Sequence, residues 1–335
     1  MAKTALTRDA KLLALYTGLP YQQALRIAGD ARRRDALIPR PSPQQELLEH
    51  GLLDRIAWPS NDPVRPWGIE YVHPQHGQLV VHFEGDHMAG ELAEAFWPRA
   101  DEHGEIHGIP GARFTPPTEQ GITMILLGTS ARVQITGIRP TAWRTALAAQ
   151  EENARDYGWA SCSRRSPAAW TREECVYFQG SGVRLGARSR QTAGTAWLAS
   201  GLLRRVGLWR TVGVPLSTTS WTNPAGAGQQ WIIDHIHEPR DLHGEHHDRF
   251  IRLLAAPGWG MPLKLDDRWC TCHQHHAEQC VMTMTGVGGL AGELQLRFPR
   301  RRGRHYWIEH ELTEYEAKTR VPVLVRPWML TALAP

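Results

Sequence analysis

The eleven residues from Cys270 to Cys280 hold three of the chain's five cysteines and three of its histidines. Thiolate sulfur and imidazole nitrogen are ligands that Zn²⁺ prefers, usually four of them in a tetrahedron. Cys270, Cys272 and Cys280 with His275 or His276 supply such a set. The segment therefore predicts a bound transition metal, and zinc is the expected ion. A loop of free thiols and solvated histidines is the alternative.

A subset of these residues has the spacing of a zinc knuckle. The pattern Cys-x2-Cys-x4-His-x4-Cys falls on Asp267, Cys270, His275 and Cys280, so the segment resembles the retroviral-type knuckle family. The resemblance implies a structural zinc ion on these four residues, with Asp267 in place of the first cysteine. Because a hard carboxylate weakens a structural zinc site, Cys272 is the other choice of ligand. Metal binding would then stabilise a loop with few apolar residues.

A second pair of potential ligands ends an apolar run. His235 and His237 flank Ile236, and the two-residue period of a strand puts both imidazoles on one face. Two imidazoles presented in this way can hold a second divalent metal ion. The pair is therefore a second predicted site.

This pair resembles the His-hydrophobic-His motif of nicking endonucleases from plasmid replication and transposition. In those enzymes the metal polarises a scissile phosphate for attack by a tyrosine. The tyrosine of the replication proteins lies in Tyr-x-x-Lys, a pattern that Tyr315 and Lys318 reproduce. The resemblance implies that His235 and His237 are metal ligands and Tyr315 is the nucleophile.

Two other interpretations of these histidines stay open. One is hydrogen-bonded or solvated histidines without a metal, which fits the charged residues that follow His237 directly. The other is a different metal-dependent hydrolase. Its ligands would come from His235, His237, Glu238, Asp241, His243, His246, His247 and Asp248.

Arginine supplies 34 of the 38 basic residues, and its distribution is uneven. Residues 160–230 contain nine arginines and two glutamates. Clustered guanidinium groups release counterions when they meet phosphates, so this segment and the cluster at 297–304 predict a nucleic-acid surface. A GC-rich genome or an acidic neighbouring domain would also explain the bias. The predicted contacts are Arg164, Arg165, Arg184, Arg188, Arg190, Arg300, Arg301 and Arg302.

The elements that must position these groups begin with two short helices in residues 7–33. Gly18 stops the first helix and Pro20 starts the second. Residues 16–25 resemble an N-terminal helical hairpin of uncharacterised proteins from GC-rich bacteria and their plasmids. We expect a docking or dimerisation role for it, and therefore a possible protein partner.

The remainder shows the same order of signals twice, about 150 residues apart. Gly51-Leu52-Leu53 corresponds to Gly201-Leu202-Leu203, and each triplet ends a helical pattern. Apolar strands at 78–82 and 230–234 follow, then a helix and two strands in each half. We predict an α+β fold with two β-α-β-β-like units, a possible internal duplication, and a β-hairpin at 305–328. The expected domains are 1–43 (helical hairpin and Pro-rich linker), 44–158 (first unit), 159–200 (Arg/Gly-rich connecting segment) and 201–335 (second unit with the Cys/His cluster).

Composition excludes several classes of protein. No run of eighteen apolar residues occurs, which argues against a membrane span, and residues 1–4 lead into a charged pattern without a signal-peptide core. We expect a cytoplasmic protein. Its predicted function is nucleic-acid binding, with an expected relation to a plasmid or mobile element and a metal-stabilised C-terminal half. A metal-dependent nuclease or phosphodiesterase and a non-enzymatic protein-interaction module are the alternatives.

Overall fold

The computed structural model describes residues 2–31, 36–56, 65–179, 183–212, 214–225, 228–238, 246–270 and 279–299. Three α-helices precede the first strand, and most neighbouring strands are antiparallel, which confirms the predicted α+β class. The helices are α1 (Ala2–Thr17), α2 (Tyr21–Asp30), α3 (Pro43–Ile56), α4 (Ala89–Phe96), α5 (Pro140–Asp156), α6 (Cys162–Arg165), α7 (Arg172–Gln179), α8 (Val183–Leu203) and α9 (His246–Leu254). The strands are β1 (Ile69–Pro74), β2 (Gln78–Phe83), β3 (Arg99–Ala100), β4 (Ile106–His107), β5 (Ala112–Phe114), β6 (Ile122–Leu126), β7 (Arg132–Thr136), β8 (Ala160–Ser161), β9 (Val214–Ala225), β10 (Gly228–Glu238), β11 (Leu263–Trp269), β12 (Gln279–Gly286) and β13 (Glu293–Pro299).

Two sheets, each with five strands in the described residues, have the same topology. Their strand orders are β1-β2-β7-β6-β5 and β9-β10-β13-β12-β11. The pairs β2/β7 and β10/β13 are parallel, and the other neighbours in each sheet are antiparallel. Both units run helix, two strands, helix, three strands, apart from β3 and β4 in the first, which form a separate small sheet with β8. This agreement supports the predicted internal duplication.

The sequence predicted the central elements of each unit and missed the outer ones. The predicted β-α-β-β series corresponds to β2-α4-β6-β7 in the first unit and to β10-α9-β12-β13 in the second. The structure adds β1 and β5 to the first unit and β9 and β11 to the second. These four strands lie at sheet edges, where one side lacks a neighbour in the described sheet.

The segment 159–200, predicted to connect the units, is largely helical in its described part. It contains α6, α7 and most of α8. Helix α8 packs directly on α3 of the first unit. The segment therefore contributes to the interface between the units.

A buried ion pair joins the two units at this interface. Arg204, which follows α8, donates to both carboxylate oxygens of Glu49 on α3, at 2.6 and 2.8 Å. Ser200 and Gln45 also donate to that carboxylate, at 2.6 and 2.8 Å. Glu49 is 0% and Arg204 1% exposed. Every charged oxygen of Glu49 thus has a partner, as a buried charge requires.

The N-terminal hairpin is present as α1 and α2 and packs on the chain itself. The hydroxyl of Tyr16 donates to the carbonyl of Leu253 at 2.7 Å, and its ring stacks on Trp259. Gly207 contacts α1 so closely that a Cβ atom there would lie 2.6 Å from the carbonyl oxygen of Leu15. The apolar face of the hairpin is therefore used internally, and a protein partner for residues 7–33 stays a prediction.

The predicted β-hairpin at 305–328 lies outside the described residues. Among the described helices, none has both the length and the apolar composition needed to cross a membrane.

Candidate metal centre

Three potential metal ligands converge where β11, β12 and α9 meet. The Sγ atom of Cys270 lies 3.3 Å from Nε2 of His247 and 3.8 Å from Sγ of Cys280. The ligand atoms of all three residues lie within 4.8 Å of one another. His247 and Cys280 are each 1% exposed, and Cys270 is half-buried. This cluster can hold a metal ion.

The strand register explains why the two cysteines meet. Trp269 on β11 pairs with Val281 on β12, so Cys270 and Cys280 flank this pair on adjacent antiparallel strands. Cys280 is buried like Met282, which lies two residues further along β12 and therefore on the same face. The hairpin thus brings the two sulfurs together at the edge of the core.

Helix α9 supplies His247 through its amphipathic pattern. His247, Phe250, Ile251 and Leu254 have the i, i+3, i+4, i+7 spacing of one helical face, and all four are buried. The ring of Phe298 lies beside that of His247, with centroids 5.8 Å apart. Packing therefore fixes the imidazole next to the cysteines.

Two of the three separations between these ligand atoms are close to those of a tetrahedral metal site. Bond lengths of about 2.3 Å to sulfur and 2.0–2.1 Å to nitrogen give tetrahedron edges of roughly 3.8 Å between two sulfurs and 3.6 Å between sulfur and nitrogen. The measured separations are 3.8 Å and 3.3 Å. The sulfurs lie far beyond the S–S bond of about 2.05 Å, so both cysteines are thiols. The third separation, between His247 and Cys280, is at most 4.8 Å.

A charged pair borders the cluster. Asp248 lies 3.5 Å from Nε2 of His247 and 2.9 Å from the guanidinium of Arg268. Contact with Cys270, and then the charge of Asp248, raises the pKa of Arg268. A permanent cation thus lies beside the sulfur ligands, which bind metals as thiolates.

Comparison with known protein families, curated proteins and solved structures finds no match to this chain.

The structure brings together two of the five predicted metal ligands and adds one. Cys270 and Cys280 meet, whereas Asp267 lies exposed on β11 and accepts the backbone N–H of Arg268 at 2.8 Å. The cluster found in the described residues does not include Asp267. Cys272 and His275 lie outside the described residues. His247, predicted only within a hydrolase, was detectable as the polar member of the buried face of α9.

His235 is part of the core. It is 0% exposed, its Nδ1 lies 2.9 Å from the hydroxyl of Thr218, and its ring contacts Trp209 and Phe298. This environment favours the interpretation as a hydrogen-bonded core histidine, because a phosphodiester would have to displace aromatic packing to reach it. The side chain of His237, like Tyr315, lies outside the described part of the chain.

Among the arginines of residues 160–230 whose side chains the structure describes, three are used inside the protein. Arg204 pairs with Glu49 as described above. Arg205 donates to the carbonyls of Trp259 and Gly260, and burial lowers its pKa to about 10. Arg210 donates to backbone carbonyls of β1. The local charge excess therefore overstated the basic surface, because it counted guanidinium groups with internal partners.

The arginines predicted to contact nucleic acid lie in three different parts of the chain. Arg164 and Arg165 are 67% and 58% exposed, with Glu151 and Glu173 as their respective partners at 3.1 and 3.3 Å. Positions 184, 188 and 190 lie on the first turns of α8. Arg300, Arg301 and Arg302 lie outside the described residues. Among the predicted contact residues, the structure thus describes the side chains of Arg164 and Arg165, which lie on the surface at α6.

Proposed function

We propose that the protein is a non-enzymatic binding module whose C-terminal unit is held together by a structural zinc ion. The observation that carries the proposal is the 3.8 Å separation of the Cys270 and Cys280 sulfurs, with His247 Nε2 3.3 Å from one of them. Thiolates with imidazole are a typical structural zinc set. The fourth ligand comes from residues 271–278, where Cys272 and His275 are the predicted donors.

Burial supports a structural role. Two of the three ligands are almost inaccessible, whereas a catalytic zinc keeps an open position for water or substrate. The ion would close the β11–β12 hairpin and attach it to α9. Removing the ion should therefore loosen one corner of the second sheet.

Elemental analysis tests this proposal. Purified, chelator-washed protein should retain about one zinc per chain, as one tetrahedral site requires. Cys280→Ser and His247→Ala should each lose it, because each removes one ligand. Cys175→Ser is the matched control, since this half-buried cysteine of α7 lies outside the cluster. It should retain the metal.

Two results would overturn the proposal: wild-type protein without zinc, or zinc content that Cys280→Ser leaves unchanged. If zinc is bound as expected, the zinc content of Cys272→Ser and of His275→Ala identifies the fourth ligand. Only the variant that lacks this ligand should lose the ion.

Nucleic-acid binding is the second candidate function. The exposure of Arg164 and Arg165 on α6 favours it, because exposed guanidinium groups can exchange a surface carboxylate partner for a phosphate. If they do, affinity for a DNA or RNA oligonucleotide should fall with salt, with a log-log slope of about 0.9 per contacted phosphate. Arg164→Gln/Arg165→Gln should reduce the slope by up to about 2. The control is Arg26→Gln, on α2 and 69% exposed.

A slope near zero for the wild-type protein would exclude this function. If the double variant has the same slope as the wild type, Arg164 and Arg165 do not contact the phosphates.

A further inference from the structure

Cys270 and Cys280 lie opposite each other at the loop end of the β11–β12 hairpin. Trp269 pairs with Val281 across the two strands, and the cysteines are the next residue on each strand towards the loop. Residues that face each other on antiparallel strands have Cα atoms about 4.5–5.5 Å apart, and a disulfide spans about 4.4–6.8 Å. The register of the hairpin therefore suits a disulfide between these two cysteines.

The sulfur atoms of the pair are close to bonding distance. They are 3.8 Å apart, and a disulfide bond is about 2.05 Å long, so they must approach each other by roughly 1.8 Å. Rotation about the two Cα–Cβ bonds can supply this movement, because the backbone register already fits. The same two sulfurs can therefore either hold an ion between them or bond to each other.

The two cysteines differ in their exposure to solvent. Cys270 is half-buried, whereas Cys280 is 1% exposed. Oxidation of a cysteine depends on its thiolate character and its exposure, and a metal ion holds its sulfur ligands as thiolates. Cys270 is therefore the sulfur that an oxidant from solvent reaches first. Cys280 is placed to react with the oxidised product.

We propose that hydrogen peroxide converts this pair to a disulfide and thereby releases the metal ion, an inference that rests on the metal site proposed above. The Cys270 thiolate attacks one peroxide oxygen, so an S–O bond forms as the O–O bond breaks, and the leaving hydroxide takes a proton from solvent to become water. The Cys280 thiolate then attacks the oxidised sulfur, so the S–S bond forms as the S–O bond breaks, and the second hydroxide leaves as water. The two sulfurs lose two electrons, and these electrons reduce one peroxide to two waters.

The ion leaves because oxidation removes two of its ligands at once. A disulfide sulfur is no longer a thiolate, which is the form that binds the metal. His247 is the one other ligand of the cluster in the described residues. After oxidation a covalent bond keeps the β11–β12 hairpin closed, whereas α9 loses the connection that the ion made through His247. Reduction of the disulfide restores the site.

Titration of the zinc-loaded, full-length protein with hydrogen peroxide tests this switch. A chromogenic chelator measures the released zinc, and peptide mass spectrometry without reduction locates the disulfide. We expect about one zinc ion released for each Cys270–Cys280 crosslink, because one tetrahedral site holds one ion. A thiol reductant followed by zinc should restore the metal content. Cys175→Ser, which alters a cysteine outside the cluster, is the matched control and should release zinc as the wild type does.

The outcomes distinguish this inference from the metal site on which it rests. Wild-type protein that holds no zinc before oxidation refutes both. Bound zinc that peroxide does not release, or zinc released without a disulfide, refutes the switch alone, and so does a disulfide that contains Cys272. In Cys272→Ser the Cys270–Cys280 crosslink should still form, and mass spectrometry detects it whether or not this variant holds zinc. Failure to form it there would also overturn the switch.

Discussion

Replacing Arg204 by methionine is expected to lower the free energy of unfolding by about 3–5 kcal/mol. The substitution preserves much of the side-chain volume but leaves the carboxylate of Glu49 buried without its cation. It also removes the donors to the carbonyls of Pro39 and Gln75, at 2.9 and 3.0 Å. Urea unfolding of wild type and variant, followed by circular dichroism, measures the difference.

An exposed pair in the same protein provides the control. Arg139 is 79% exposed and pairs with Asp86, so Arg139→Met should cost at most about 1 kcal/mol. Equal effects of the two substitutions would contradict the structural role of the Glu49–Arg204 pair. The double replacement Glu49→Leu/Arg204→Met should recover part of the lost stability, because it also removes the unpaired charge.

The position of this pair explains why the effect is global. Glu49 belongs to α3 of the first unit, and Arg204 follows α8 of the second. A break there weakens the interface on which both units depend. We therefore expect the two units of the wild-type protein to unfold in one transition.

Sequence patterns located the strands that are apolar and central. Residues 78–82 and 230–234 lie in β2 and β10, and the short apolar runs at 79–81 and 231–233 made them recognisable as strands. β11 escaped prediction because Leu263 is its one buried residue and the others are exposed. β9 is rich in serine and threonine, so its apolar period is weak. Edge strands form mainly through backbone pairing, which leaves little trace in side-chain type.

The candidate site shows the same limit. Cys270 and Cys280 were predictable because a hairpin brings near neighbours together, but His247 lies 23 residues before Cys270. Its proximity depends on how α9 packs on the second sheet. The internal use of Arg204 was hidden for a related reason, since its partner lies 155 residues away on α3. Local sequence predicts ligands and charges, whereas long-range packing decides which of them meet.

The stability of the protein should fall as the pH decreases from about 6.5 to 4, and His50 should be responsible for a large part of the fall. Burial lowers the pKa of His50 from 6.5 to about 4, with the charge of Asp54 as a smaller opposing effect. The unfolded chain therefore binds a proton on this residue at a pH where the folded protein does not. Stability is full above pH 6.5 and is lost as the pH falls, by about 3 kcal/mol once pH 4 is reached.

The variant His50→Gln isolates this contribution. Glutamine does not titrate. The unfolding free energy of the wild type minus that of the variant should therefore decrease by about 3 kcal/mol between pH 7.5 and pH 4. Other groups that titrate in this range, such as His73 and His82, whose pKa values burial also lowers, are common to both proteins and cancel in the difference. A difference that stays constant across this range would mean that His50 is solvated.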